Sequence, residues 1–399
     1  MQDIIRKSIL LLTLDNSVLE KHKSSVDQTL GNVNAADVID VLMGNVRSKE
    51  INYLALRASI PIIAQNINKL ENDRSEITHK FLNNQRALNI EGTVFQEYKN
   101  LAKTLYDIDR GLVYLYGLSF YQKAYPKSNV LSMSREVNVL VREDAIEEGY
   151  SRFLSLGFAP IREEHGAREF VKQYASNYIP LRKEQLICTM SHRFCSPRMA
   201  FSNINANIQE MFSRAVDDEV MGYASKVLSP EDQMLFCFAE MYYQQMYENK
   251  YTPQQFADIT GYIYNNSVDW ERVINYINRY DSNRILSYCV LFLNEVHQYL
   301  FNENLFEESL LKSIPIGMAR HLYECRSGSL FTDDIVAYHD SKPHELLLGY
   351  RHETAHFCDL SSSYHTIEKE EKKRFLDKLA ACGIDNYNYD TYGDFSKSK

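Results

Sequence analysis

Apolar residues recur at three- and four-residue spacing along almost the whole chain ahead of Gly328, and glycine and proline seldom interrupt them. That period commits most of the protein to amphipathic helices. The windows Glu97–Tyr116, Ala200–Val216, Pro230–Glu248 and Trp270–Tyr280 carry it clearly. Two helix starts are marked by a hydroxyl residue followed by proline, Ser229–Pro230 and Thr252–Pro253. The hydroxyl can accept from a first-turn amide, and proline at the first helical position has no amide to leave unpaired. Breaks fall near Gly31, Gly92, Tyr125–Ser128, Gly157–Pro160 and Ser313–Gly317. Pro160, Pro180 and Pro197 interrupt the pattern most densely, so a boundary is expected there. The expected division is a helical N-terminal region, 1–180, that docks a substrate or partner, and a second region, 181–399, that runs from helices into a catalytic part. No internal repeat of fixed period is present.

The pattern changes after Cys325. Arg326, Ser327 and Gly328 form a turn signal, and Ile335–Tyr338 reads as a short strand. Beyond it lies the run GYRHETAHFCD, with His352, Glu353, Thr354, Ala355 and His356. Two histidines four apart on a helix share one face and can converge on a cation, and the intervening glutamate can take a proton from a metal-bound water. Ser341, Pro343 and Glu345 supply a cap, a first helical residue and first-turn negative charge, so the helix is expected over about 343–360. Five of the 11 histidines cluster here: His339, His344, His352, His356 and His365. A zinc site is therefore expected, with His352 and His356 as ligands and Glu353 as general base.

The third ligand has several candidates. His365 ranks first. Glu368 and Glu371 fall on the apolar arc that Ile367, Phe375, Leu379 and Cys382 define on the next helix, and Asp359 and Asp390 come last.

These residues resemble the zincin metallopeptidases, whose catalytic helix carries H-E-x-x-H among uncharged residues such as Tyr350, Thr354, Ala355 and Phe357. The run NYDTYGDF, with Asn388, Asp390, Tyr392 and Phe395, is similar to a closing motif of the aspzincin, deuterolysin-like group and related bacterial effector proteases. The resemblance covers about the last sixty residues and implies a zinc metalloendopeptidase of mainly α fold, with a zincin-like α+β C-terminal region and a protein or peptide substrate. The competing expectation is a non-enzymatic helical interaction or structural protein in which HETAH is accidental.

Composition bounds the rest. A net charge of −9 argues against a nucleic-acid partner, because phosphate contacts need a basic surface. No apolar run is long enough to span a bilayer. Seven cysteines without repeated spacing read as reduced thiols. The first 17 residues read as an amphipathic helix rather than an export signal, which predicts a cytoplasmic protein or one delivered to a host cell by specialised secretion.

Overall fold

The computed structural model describes residues 2–42, 59–70, 91–108, 112–126, 136–161, 180–183, 186–192, 208–246, 252–280 and 283–314. Helices α1 (Gln2–Leu12), α2 (Asn16–Lys21), α3 (Lys23–Leu30), α4 (Ala35–Leu42), α5 (Ile60–Leu70) and α6 (Glu91–Ile108) come first. Strand β1 (Val113–Tyr116), helix α7 (Leu118–Ala124), strand β2 (Glu136–Leu140) and helix α8 (Ile146–Ser155) follow. Next are β3 (Ala159–Pro160), β4 (Leu181–Lys183), β5 (Leu186–Ser191), α9 (Ile208–Arg214), β6 (Val216–Val220) and β7 (Tyr223–Val227). The chain then returns to helix: α10 (Pro230–Met246), α11 (Pro253–Asn265), α12 (Trp270–Arg279), α13 (Asn283–Phe301) and α14 (Glu308–Ser313).

The protein is mainly helical, as expected, but its centre is a mixed seven-stranded sheet in the order β3-β4-β5-β2-β1-β7-β6. This corrects the reading of everything ahead of Gly328 as helix. The window Glu97–Tyr116 ends in strand, because Val113 and Leu115 pack into one core while Tyr114 packs into the other. A strand buried on both faces shows an unbroken apolar run, which does not separate strand from helix. The sheet takes strands from both sides of residue 180, with β3 paired to β4. The expected strand at Ile335–Tyr338 and the expected helix over 343–360 lie outside the described residues.

Strand β1 runs parallel to β7 and antiparallel to β2, which in turn runs parallel to β5. The β6–β7 hairpin turns at Met221 and Gly222, both at positive φ (54° and 87°), as a two-residue turn requires. Strand β6 lies at the sheet edge and carries Asp217, Asp218 and Glu219, charges that discourage pairing with another chain. One face of the sheet packs on α6 and α8, where Val137, Val139, Cys188, Met190, Tyr150 and Phe153 are buried. The opposite face packs on α7, the N-terminal helices and the layer α10–α13.

The capping residues place the helices as their chemistry demands. Thr252 accepts from the Gln255 amide at 3.4 Å, and Ser229 accepts from the Asp232 amide at 3.2 Å. Asn66 of α5 donates to the Leu12 and Leu14 carbonyls at 2.8 and 2.9 Å, closing the end of α1. The N-terminal helices are pinned to α11 and α13 by a buried chain: His22 Nε2 lies 2.6 Å from Tyr264 Oη, which lies 2.8 Å from His297 Nε2. His297 Nδ1 sits 2.8 Å from the Glu303 carbonyl, so that nitrogen carries the hydrogen. Burial holds His297 neutral by lowering its pKa to about 4. Its Nε2 therefore accepts from Tyr264, whose oxygen accepts from His22 Nε2–H. Among the described residues, Cys188, Cys237 and Cys289 are buried and outside any disulfide, and no helix is long and apolar enough to cross a membrane.

The tightest crossing joins α7 to α11. A Cβ at Gly261 would stand 2.6 Å from the Ala124 carbonyl oxygen, so only glycine lets the two helices meet there. The same carbonyl accepts from Asn265 Nδ2 at 3.1 Å, and the Lys123 carbonyl accepts from Asn266 Nδ2 at 3.3 Å. Helix α11 thus caps the end of α7 with side chains while touching its backbone. Gly261→Ala should lower stability by about 1–3 kcal/mol, the cost typical of overpacking. A urea titration followed by circular dichroism reads this directly; an unchanged midpoint would show that the helices can part at no cost.

Candidate functional site

Strand β1 ends at Tyr116, and the chain turns into α7 through Gly117 at φ 84° and ψ −121°. That conformation mirrors the extended region and is open to glycine but closed to residues with a Cβ. The turn brings the carboxyl end of β1 beside the start of β2, where Tyr116 pairs with Asn138, Asn138 pairs with Thr189, and Glu136 pairs with Ile187. Val137 and Val139 pack on the α6 and α8 side, so Asn138 projects from the other face by strand alternation. Thr189 and Ser191 alternate in the same way with Cys188 and Met190. The result is a polar row of Tyr116, Asn138 and Thr189 across three neighbouring strands, next to the glycine turn. Ligands of open α/β sheets bind outside the carboxyl ends of strands, and this row has that position relative to β1.

Behind the row lies a buried carboxylate. Asp258 of α11 is 2% exposed and accepts from Tyr125 Oη at 2.7 Å, from Tyr116 Oη at 3.1 Å and from Gln254 Nε2. Ser59 Oγ donates to Gln254 Oε1 at 3.0 Å, extending the network to the residue before α5. The two tyrosines stand at opposite ends of α7. One carboxylate therefore fixes both the strand that enters the glycine turn and the helix that leaves it. Burial pushes the Asp258 pKa up to about 7 against the pull of its three donors. Burial, reinforced by the Asp258 charge, holds both phenols well above the ordinary tyrosine range, so they remain donors.

A second polar knot braces the far end of the helical layer. Arg214 grips Asp232 through two bonds of 2.9 and 2.7 Å, tying α9 to the start of α10, and Asp232 is wholly buried. Its partners are all satisfied, so it reads as structure.

The expected zinc ligands His352, His356 and His365, the expected base Glu353, and the alternatives Glu368, Glu371, Asp359 and Asp390 lie outside the described residues. Among the described residues no group of three or more His, Cys, Asp or Glu is placed to hold a metal ion. The residues that build the polar row went unmarked in the sequence. Two signals for them exist: the alternation of Glu136–Val137–Asn138–Val139, which is a half-buried strand pattern, and the single glycine between the apolar runs VYLY and LSF.

A family model described as an uncharacterised nucleotidyltransferase matches residues 51–298. No curated protein and no solved structure matches the chain significantly. The match encloses all seven strands and most of the helical layer, and leaves α1–α4 and the HETAH segment outside. It overturns the zincin resemblance and, with it, the zinc metalloendopeptidase and hydrolase readings, because the family is one of transferases. The alternative of a non-enzymatic helical protein is likewise not supported. The motif misleads because it is short: two histidines and a glutamate within five residues can arise on a helix without any metal, whereas the matched segment spans well over half the chain.

The raised Asp258 pKa has a definite consequence for stability. Between its ordinary value of 3.8 and its folded value of about 7 the folded chain holds a proton that the unfolded chain has lost. Stability from this group is therefore complete below the lower value and declines as pH rises through the upper one. Asp258→Asn removes the titration at the cost of one mispaired amide, a penalty that does not vary with pH. The unfolding free energy of Asp258→Asn relative to wild type should climb as pH is raised from 4 to 8. A difference that stays flat across that range would show that Asp258 is ionised throughout.

Proposed function

Because the chain belongs to this family of uncharacterised nucleotidyltransferases, we propose that it transfers a nucleoside monophosphate unit from a nucleoside triphosphate to an acceptor, at the carboxyl end of β1. In that reaction an acceptor oxygen bonds to the α-phosphorus, the bond from that phosphorus to the bridging oxygen breaks, and pyrophosphate leaves with the electron pair. Such transfers depend on positioning and charge stabilisation more than on covalent chemistry by the protein. The observation that carries the reading is the extent of the match, which takes in the glycine turn, the polar row and the helix that braces them. The substrate is accordingly a nucleotide rather than a peptide.

Nucleotidyl transfer commonly employs a divalent cation such as Mg²⁺ or Mn²⁺. Magnesium is held by one or two carboxylates together with phosphate oxygens and water. Among the described residues at the turn, Asn138 of β2 offers an amide oxygen beside Tyr116. An oxygen donor suits a hard ion that takes its other ligands from the phosphates and from water. It does not match the imidazole ligands that zinc favours. When bound, the ion would neutralise charge on the phosphates. The chain's own contribution is to hold the turn open at Gly117, where a side chain would stand between backbone and ligand, and to keep Tyr116 and Asn138 in register.

Equilibrium binding of the four nucleoside triphosphates with Mg²⁺ tests the proposal without requiring the acceptor. Wild type should bind at least one, and both Gly117→Val and Asn138→Ala should weaken that affinity at least tenfold. If none of the four binds, or if neither substitution alters the affinity, the proposed site is wrong.

A further inference from the structure

Helices α2 and α3 form a small hairpin that is fastened to α11 and α13 by a chain of hydrogen bonds. At six and eight residues the two helices are too short to persist alone. Val18, Val26 and Thr29 are their buried contacts, and His22 stands at the corner between them. Its ring stacks on Phe301 with centroids 4.1 Å apart, and its Nε2 starts the chain that runs through Tyr264 to His297. His22 lies outside the residues that the family model matches, whereas Tyr264 and His297 lie within them. The chain therefore ties the N-terminal helices to the matched segment.

The closed chain can carry only a limited number of hydrogens. The two bonds that flank Tyr264 Oη are filled, when both rings are neutral, by one imidazole N–H and the phenol O–H. One added proton fits: it can sit on His22 Nδ1, 3.6 Å from the exposed Glu303 carboxylate, and leave both bonds as they are. A second does not fit. With both rings charged, both Nε2–H groups point at the Tyr264 oxygen, and the phenol hydrogen has lost both imidazole acceptors. The two cations would also stand with ring centroids 5.3 Å apart, beside Lys21, whose Nζ lies 4.5 Å from the centre of the Tyr264 ring, with Glu303 as the opposing carboxylate.

We propose that the His22–Tyr264–His297 chain is an acid-sensitive latch, which holds the α2–α3 hairpin against α11 and α13 while at most one imidazole is charged and lets the hairpin open when the second takes up a proton. Burial sets the direction. It lowers the pKa of both histidines from the ordinary 6.5, that of His297 to about 4; Lys21 acts in the same sense and Glu303 against it. Above 6.5 the opened and closed forms hold the same protons, and the latch has its full strength. As pH falls below 6.5 the opened form binds protons that the closed form refuses, so closure weakens down to about pH 4.

Amide hydrogen exchange of the full-length protein, corrected for the intrinsic effect of pH on exchange, reads the opening. Protection of Val18–Leu30 should fall about tenfold or more between pH 7.5 and 5.5, the uptake expected of one imidazole over that interval, while protection of α8 changes by less than about threefold. His297→Gln can present an amide oxygen where Nε2 accepts from Tyr264 but cannot be charged, so the ratio between the two pH values should drop to about threefold or less. Tyr264→Phe removes the phenol from the chain and should lower protection of the same residues about fivefold or more already at pH 7.5. Protection that is flat with pH in wild type overturns the proposal. So does a ratio in His297→Gln as large as that of wild type, which would assign the acid effect to another group, such as the Asp15 carboxylate that accepts from the Ser17 amide at the start of α2. Full protection in Tyr264→Phe at pH 7.5 overturns it as well. The measurement uses no nucleotide, so its failure leaves the transfer reading untouched.

Discussion

The buried carboxylate of Asp258 joins the helical layer to the end of β1 and to α7, and the geometry of the polar row depends on it. Helix α11 contributes Asp258 to Tyr116 and Tyr125, a glycine to the approach of α7, and two asparagine amides to the last carbonyls of α7. Each of these contacts acts on the short unit β1–Gly117–α7. A seven-residue helix has little stability of its own. Held from behind by a thirteen-residue helix buried along most of its length, it becomes a fixed support for a turn that only glycine can make. The arrangement costs the desolvation of a carboxylate, which three donors offset in part.

The helical layer was legible in the sequence because its signals are local. Thr252 before Pro253 and Ser229 before Pro230 mark starts that the structure shows, and α10 and α12 fall within the windows that periodicity picks out. The sheet was not legible, because its signals are not local. Strand β1 is four residues long and apolar on both faces, and its partners lie far along the chain, at β2 and β7. Strand β6, with Asp217, Asp218 and Glu219, lacks the apolar alternation of a strand because it lies at an edge. The window Ala200–Val216 looked uniformly helical, yet its last residue, Val216, opens that edge strand.

The site shows the same divide more sharply. HETAH compresses a complete chemical idea into five residues and draws the eye, whereas Tyr116, Asn138 and Asp258 come from three elements and share no sequence pattern. Asp258 in particular reads as an ordinary polar residue of an amphipathic helix until the fold places two phenols against it. Its role is a product of tertiary structure alone. Only Gly117, a lone glycine between two apolar runs, hinted at the strand–glycine–helix unit, and the helical period of Glu97–Tyr116 masked that hint.

Amide hydrogen exchange with and without a bound Mg²⁺–nucleoside triphosphate tests the central claim most directly. A nucleotide held at the end of β1 should slow exchange at Gly117–Phe120 and at Val137–Asn138, and through Asp258 it should slow exchange along α11 as well. Protection confined to other segments, or none at a saturating nucleotide concentration, would contradict the placement of the transfer site at the glycine turn.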